Sequence, residues 1–398
     1  MRCHQKCHLI AEVQNGELLA VVDAQAANRM PACREVCPIG MDVPGYLVAA
    51  AQGNFDKAME IVRETNPFPM VCGRICHHPC ETECIRGAVD EPVAIASIKR
   101  LVAEEATRRM PSAVPRTRKE SVAVIGSGPA GLTAAHDLVK AGFGVTVYEA
   151  EGEIGGMLTR VIPEFKLPKA SVVSDIEAIR SLGVEIRTHS RLGESITLES
   201  LRQKHDAVLL AVGSWTPAPL KIPGVDAAGV YYALPLLEEM KKGKPVGLGG
   251  RVVVIGGGNT AMDVARAAVR LGAKDVRVTC LESRKAMPAL AWEIENAERE
   301  GVRIHPALAP ERIRTGAGGR AAGVDFKEVA SCRVDAYGSL SWTLNECAGT
   351  ESFMEADSVV IAIGQIPALS STGLKTTRRG TIEADPETLA TGIPGVFA

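Results

Sequence analysis

The chain has 398 residues, 46% of them hydrophobic and 23% charged, with a formal net charge of -2. That length exceeds one ordinary core, so two or three domains are expected, and so small a net charge gives no electrostatic drive towards nucleic acid or an acidic membrane surface. An apolar run of about eighteen residues is absent, and MRCHQKCHLI lacks the basic and apolar regions of a signal peptide, so a cytoplasmic protein is expected.

Residues 1–30 read as an N-terminal extension. Eight of the eleven cysteines fall within the first 84 residues of a chain with no export signal, which favours metal or cluster ligation over disulfides. They concentrate in a segment over 31–110. C-R-E-V-C-P carries Cys33 and Cys37, and C-G-R-I-C-H-H-P-C-E-T-E-C sets Cys72, Cys76, Cys80 and Cys84 four apart. Thiolates bind both iron–sulfur clusters and zinc; even spacing beside a Cys-Pro pair suits a cluster loop better than the separated pairs of zinc modules. One cluster held from among Cys33, Cys37, Cys76, Cys80 and Cys84 is expected. Cys72 precedes the C-x3-C-x3-C run and reads as a spare, while His77 and His78 read as spacers. Cys3 and Cys7 could complete a second cluster only if the N-terminus folds back. The segment ends in a helical pattern, VAIASIKRLVAEEATRRM, and PSAVPRTRKE over 111–120 is a linker.

From Ser121 strand and helix patterns alternate: SVAVIG, PAGLTAAHDLVKAG, GVTVYEA and later DAVLLAVG. A second series repeats the order with RVVVIG, NTAMDVARAAVRLGA, DVRVTCLE and DSVVIAIG. Two βαβ openings imply two dinucleotide-binding domains with parallel sheets, the second nested in the first if DSVVIAIG returns to the first sheet. The expected boundaries are 121–245 for the first domain, 246–355 for the second, and a return to the first over 356–398.

In the first turn Gly126, Gly128 and Gly131 follow a strand and open a helix, with Pro129 and Ala130 between them. This context permits a tight turn, close approach of a pyrophosphate to the backbone, and close helix packing. Glu149 ends the next strand, about 20 residues on, where a carboxylate accepts from an adenosine ribose. The second turn places Gly256, Gly258 and Ala261 at the same positions, with Glu282 at its strand end. A carboxylate there would repel a 2′-phosphate, which favours NAD(H) over NADP(H); Arg284 and Lys285 argue the other way. Cys280, Cys332 and Cys347 stand apart, and the lack of any C-x-x-C argues against disulfide exchange.

The strings GGMLTRVIPEFKLPK, AVGSWTPAPLKIPGVDAAGV, GGGNTAMDVARAAVRLGA and MPALAWEIENAEREGV make the chain similar to the glutamate synthase small subunit from about Pro31 to Ala398. The same group includes the flavin portion of dihydropyrimidine dehydrogenase and the ferredoxin-NADP transhydrogenase large subunit. The resemblance implies an α/β fold of two Rossmann-like domains, an NAD(P) domain inserted in an FAD domain, behind a small α-helical iron–sulfur domain. It implies FAD at the first turn, with Gly155 and Gly156 lining the flavin and Ile162 to Lys169 beside its ring. Asn259 and Thr260 would lie by the nicotinamide nucleotide's phosphates, although Asn259 also suits a helix N-cap. Relatives hold two 4Fe–4S clusters, using two cysteines upstream of the position of Cys33; Ala24 to Met30 offer none, so at least one cluster is expected.

The implied activity moves electrons between NAD(P)H, FAD and the cluster, to or from a redox partner subunit in a hetero-oligomer, with no catalytic acid or base on this chain. Alternatives are a cluster-bearing scaffold or redox sensor, and a zinc-stabilised dehydrogenase without flavin. The family continues after G-V-F-A into a flavin-contacting turn, so the end at Ala398 reads as a truncation.

Overall fold

The computed structural model describes residues 9–14, 17–23, 30–106, 110–335, 340–347, 349, 351–367, 369, 373–378 and 380–398, with side chains described from residue 30 onward. The chain divides into two compact units, residues 1–155 with 165–188, and residues 156–164 with 189–398.

The first unit opens on an antiparallel hairpin of β1 (Leu9–Gln14) and β2 (Glu17–Asp23). The Asn-Gly pair between these apolar runs is a hairpin signal in the sequence. Six helices follow: α1 (Ala32–Glu35), α2 (Val43–Ala51), α3 (Phe55–Thr65), α4 (Pro69–Ile75), α5 (Pro79–Thr82) and α6 (Ile95–Glu105). Asp42 caps α2 by accepting from Gly45 N at 3.2 Å, and Asn54 caps α3 by accepting from Lys57 N at 3.1 Å. The helices close on Val43, Tyr46, Ala58, Val62, Ile95 and Val102, all buried. Tyr46 satisfies its hydroxyl by donating to Ile95 O at 3.2 Å. Helices α4 and α6 cross where a Cβ at Gly73 would lie 2.8 Å from Arg100 Cα, so only glycine fits there.

The same unit continues with β3 (Ser121–Ile125), α7 (Pro129–Lys140) and β4 (Gly144–Tyr148). After α8 (Met157–Arg160) of the other unit, it resumes with α9 (Lys169–Ser181) and β5 (Glu185–Arg187). Strand β4 pairs in parallel with β3 and with β5. A buried carboxylate joins these elements to the helices. Asp175 on α9 is 0% exposed and accepts from Met70 N at 3.3 Å and Val71 N at 3.0 Å, at the N-terminus of α4. The local N-cap, Phe68, has no side-chain acceptor, so the cap comes from far along the chain. Lys140 adds a second tie by donating from Nζ to Glu64 O at 2.9 Å.

The second unit contains α10 (Leu198–Lys204), β6 (Ala207–Leu210), β7 (Thr216–Pro217), β8 (Val230–Tyr232), α11 (Ala233–Lys241), β9 (Arg251–Ile255), α12 (Asn259–Arg270), β10 (Asp275–Thr279), α13 (Ala291–Arg299) and β11 (Arg303–His305). It ends in β12 (Leu308–Thr315), β13 (Ala321–Val334), β14 (Leu340–Leu344), β15 (Glu351–Glu355), β16 (Ser358–Ile361), β17 (Gln365–Ile366) and β18 (Val396–Phe397). A parallel sheet runs in the order β11-β10-β9-β16-β8, and an antiparallel sheet joins β12, β13, β14 and β15. Strand β17 pairs with β7, and β18 pairs in parallel with β6. Among the described residues no helix is long and apolar enough to cross a membrane.

The expected return of DSVVIAIG to the first sheet is corrected. Strand β16 inserts between β9 and β8 of the second sheet, and β8 and α11 also precede the expected boundary at 246. Residues 358–361 are buried throughout, so their apolar run fits any central parallel strand and carries no information on which sheet it joins. Asp357 decides the matter: it accepts from Gly250 N and Arg251 N at 3.0 and 2.9 Å and pairs with the Arg251 guanidinium at 2.8 Å. The late return is made instead by β18 alongside β6.

Burial pushes the Asp175 carboxyl up to about 7, against the pull of the Val71 and Met70 N–H groups and of Arg63 and Arg74. A folded pKa above the unfolded value of about 4 means that its contribution is full below about pH 4 and declines as pH rises towards 7. Asp175→Asn is expected to flatten that part of the stability profile. Asp175→Ala is expected to cost about 1–3 kcal/mol by leaving two N–H groups unmet, measured by denaturant unfolding.

Candidate functional site

Three groups of residues carry the candidate sites. The first is the turn between β3 and α7. Gly126 has φ 104°, a left-handed value that favours glycine, and donates to Tyr148 O at 2.8 Å. A Cβ at Gly131 would lie 2.0 Å from Gly126 O, so the helix packs on the turn only with glycine there. At Gly128 a Cβ would meet nothing within 4 Å, which leaves open space in front of the helix N-terminus. Pro129 takes the first helical position, where its missing N–H costs nothing, and both Pro129 and Ala130 are exposed. Beneath the turn Glu149, 7% exposed, accepts from Ser127 N at 2.9 Å and from Ser127 Oγ, while Glu151 N donates to its other oxygen at 2.9 Å. Gly155 N donates to Ser127 O and Oγ, each at 3.1 Å. Gly156, at φ 57°, opens α8 in the other unit, where Lys241 Nζ donates to Leu158 O and Ile162 O.

The second turn, between β9 and α12, repeats this plan. A Cβ at Gly256 would lie 2.3 Å from Ala362 O, one at Gly258 would meet open space, and Ala261 is wholly buried. Glu282, 7% exposed, sits under Gly257 as Glu149 sits under Ser127: a Cβ at Gly257 would lie 3.0 Å from Glu282 Oε2. No hydroxyl meets Glu282 here, because the middle residue is glycine. Cys280 lies beside it, and burial pushes that thiol up to about 12. Gly258, not Asn259, is the N-cap. The Asn259 side chain instead accepts from Leu290 N at 2.9 Å, leaving the backbone N–H groups of Asn259 and Thr260 facing outward from the first turn of α12. Arg284, on the 3-10 turn after β10, pairs with Glu298 at 2.6 Å across an exposed surface.

The third group is the thiols. Burial raises the Tyr46 phenol well above its usual range, and Cys80, Cys33 and Cys37 push it the same way, so these three surround one buried tyrosine. Cys80 is itself pushed up to about 11 by burial, with Cys76 and Cys37 among its neighbours. Cys76 Sγ accepts from His78 N at 3.3 Å, an arrangement made possible by His78 at φ 41°. Cys84 caps the short 3-10 helix Ile85–Ala88. Among the described residues no three His, Cys, Asp or Glu side chains converge at metal distance. What fits a cluster is the donor chemistry: soft sulfur ligands, an apolar surround, and a backbone N–H already aimed at one sulfur. Cys3 and Cys7 lie outside the described residues.

Sequence reasoning missed Ser127 and Asp175. Ser127 had a local signal, since it occupies the middle of Gly126-Ser127-Gly128. Asp175 acts across a distance that no motif records.

Residues 120–398 match the family described as pyridine nucleotide-disulphide oxidoreductase, and residues 6–110 match dihydropyrimidine dehydrogenase domain II, 4Fe-4S cluster. The chain is 39% identical over 346 residues to the beta subunit of the NADPH-Fe(3+) oxidoreductase of Geobacter sulfurreducens, a match covering 85% of this chain and 51% of that one. It thus spans about half the length of that relative. With the glutamate synthase (NADPH) small chain of Azospirillum brasilense it shares 35% identity over 402 residues, covering 94% and 83%. Mycobacterium tuberculosis FprA, solved with NADPH, is similar in fold at TM-score 0.59 and 18% identity, over 70% of this chain and 78% of that one. The paired turns and the cysteine-rich helices therefore have one origin: the chain belongs to the pyridine nucleotide-disulphide oxidoreductase family, with an N-terminal 4Fe–4S domain and the glutamate synthase small chains among its homologues.

Proposed function

We propose that this chain is an electron-transfer oxidoreductase subunit that binds FAD at the first turn, NADP(H) at the second and a 4Fe–4S cluster on the thiols, and exchanges electrons with a redox partner subunit in a hetero-oligomer. The observation that carries this reading is the duplicated cradle. Gly128 and Gly258 each leave open space before a helix N-terminus, with Glu149 and Glu282 buried beneath the same position of each turn.

When bound, the flavin would take hydride from the nicotinamide and release electrons singly to the cluster, so the protein's work is binding and placement. Ala130 and Gly131 offer N–H groups to the FAD pyrophosphate, and Glu149 is oriented by Ser127 to receive a ribose hydroxyl. Asn259 and Thr260 offer theirs to the nicotinamide nucleotide, with the Asn259 side chain fixing the 290 loop. Gly155 and Gly156 allow close approach of the flavin. Cys33, Cys37 and Cys80 supply thiolates around Tyr46, with Cys76 beside Cys80 and Cys84 as the further candidate.

The preference for NAD(H) expected from Glu282 finds no support in the relatives, whose names carry NADPH. NADP(H) is the better reading here. Arg284 is exposed at the strand end, and its surface pair with Glu298 is weak enough to exchange for a 2′-phosphate.

An anaerobic visible spectrum of the protein tests the whole reading: a flavin band bleached by NADPH, over a broad cluster absorption, is expected, and a colourless preparation would sink it. NADPH is expected to give a kcat/KM roughly tenfold above NADH, a difference lost in Arg284→Ser. Gly128→Ala is expected to keep stability within about 0.5 kcal/mol, because its Cβ meets open space, yet to lose bound flavin. Gly131→Ala is expected to fail to fold the turn at all. Cys80→Ser is expected to lose iron and keep flavin, read by iron analysis beside the flavin absorbance.

A further inference from the structure

Two buried polar side chains in the helical segment serve no role so far. Lys99 on α6 is 5% exposed, although lysine is rarely buried unless paired. The thiols near enough to feel its charge are Cys72 and Cys80. In both Cys72 and Cys80 burial raises the thiol to about 11, and Lys99 pulls the other way. The proximity is geometric in origin. At the Gly73 crossing a Cβ would lie 2.8 Å from Arg100 Cα, so α6 runs against α4 with almost no gap, and Lys99, one residue earlier, lies at the same crossing as Cys72, the neighbour of Gly73 on α4. Asn66, 1% exposed, is a second buried polar group beside Cys72. Its Oδ1 accepts from Phe68 N at 2.9 Å, while its Nδ2 is buried without an acceptor in hydrogen-bonding geometry, and the thiol it faces is Cys72. A buried donor left unmet costs about 1–3 kcal/mol, so the site awaits an electron-rich acceptor.

We propose that Lys99 and Asn66 are tuning residues for the thiolate-held cluster: a buried cation and an amide donor that favour its reduced form and so raise its reduction potential. This rests on the cluster reading given above. One-electron reduction adds one negative charge to the cluster, the electron coming from the bound flavin, and no bond to the protein forms or breaks. In a medium of low dielectric, a cation a few ångströms away stabilises that added charge, and hydrogen bonds to sulfur act in the same direction. Cys72, set aside as a spare by its spacing, becomes the contact through which both groups reach the cluster.

The test is a redox titration of the anaerobically purified full chain, poised with dithionite and mediators and followed by electron paramagnetic resonance, with iron content measured on each sample. Lys99→Met is expected to shift the cluster at least tenfold towards the oxidised form, which is about 59 mV for one electron. Lys99→Arg, which keeps the charge, is expected to return most of that shift. Asn66→Asp keeps the acceptor for Phe68 N and exchanges the donor for a second oxygen; it is expected to lower the potential too. Unchanged potentials in Lys99→Met and Asn66→Asp at full iron would overturn the proposal. So would loss of iron from both variants, which would make these residues holders of the site and not tuners. Iron missing from the unmodified chain would instead defeat the cluster reading itself.

Discussion

The helical segment depends on a carboxylate that has no water. Asp175 lies wholly buried on α9, and the donors that meet it are the first free N–H groups of α4. Those N–H groups need it equally. Pro69 brings none of its own and Phe68 offers no side-chain acceptor, so α4 has no cap without a residue from beyond the linker. Once α4 is fixed, Gly73 lets it press on α6, and that crossing sets which part of α6 lies beside Cys72. The cysteine-rich segment is thus positioned by the dinucleotide-binding part of its own unit, and does not stand as a self-contained module.

Both glycine turns were legible in the sequence because their geometry is local. A strand, two or three glycines at fixed spacing and a helix dictate the backbone path, and the acid one strand later falls beneath it. The thiol group was legible for a similar reason, since even spacing places Cys76 and Cys80 on successive short turns. Asn259 was ambiguous between cap and ligand, and the structure gave its side chain a third partner, Leu290 N. The placement of β16 was not legible, because an apolar run buried on all sides fits either sheet; Asp357, the polar residue that opens the run, makes the choice through partners more than a hundred residues away. Asp175 and Lys99 look like ordinary surface residues in their own helices and acquire meaning only from partners on other elements.

The two cradles are alike in plan and unlike in detail. Ser127 gives the first turn a hydroxyl that ties Glu149 and Gly155 together, so its carboxylate is held by several donors before any nucleotide arrives. Gly257 gives the second turn no such tie, and Glu282 shares its pocket with Cys280. A site organised in advance loses less freedom on binding. Under the function proposed above, that difference suits a first nucleotide that stays resident and a second that exchanges.

The order of the second parallel sheet also bears on how the protein is made. Strand β8 hydrogen-bonds only to β16 in that sheet, and β16 follows it by more than a hundred residues. Until residues 358–361 are made, β8 and β9 lack the strand that lies between them in the finished sheet, and that slot has no occupant. Unpaired parallel edges of this kind are where a nascent chain meets its neighbours. The Asp357 and Arg251 clasp, completed just as β16 emerges, closes the slot and ends that exposure.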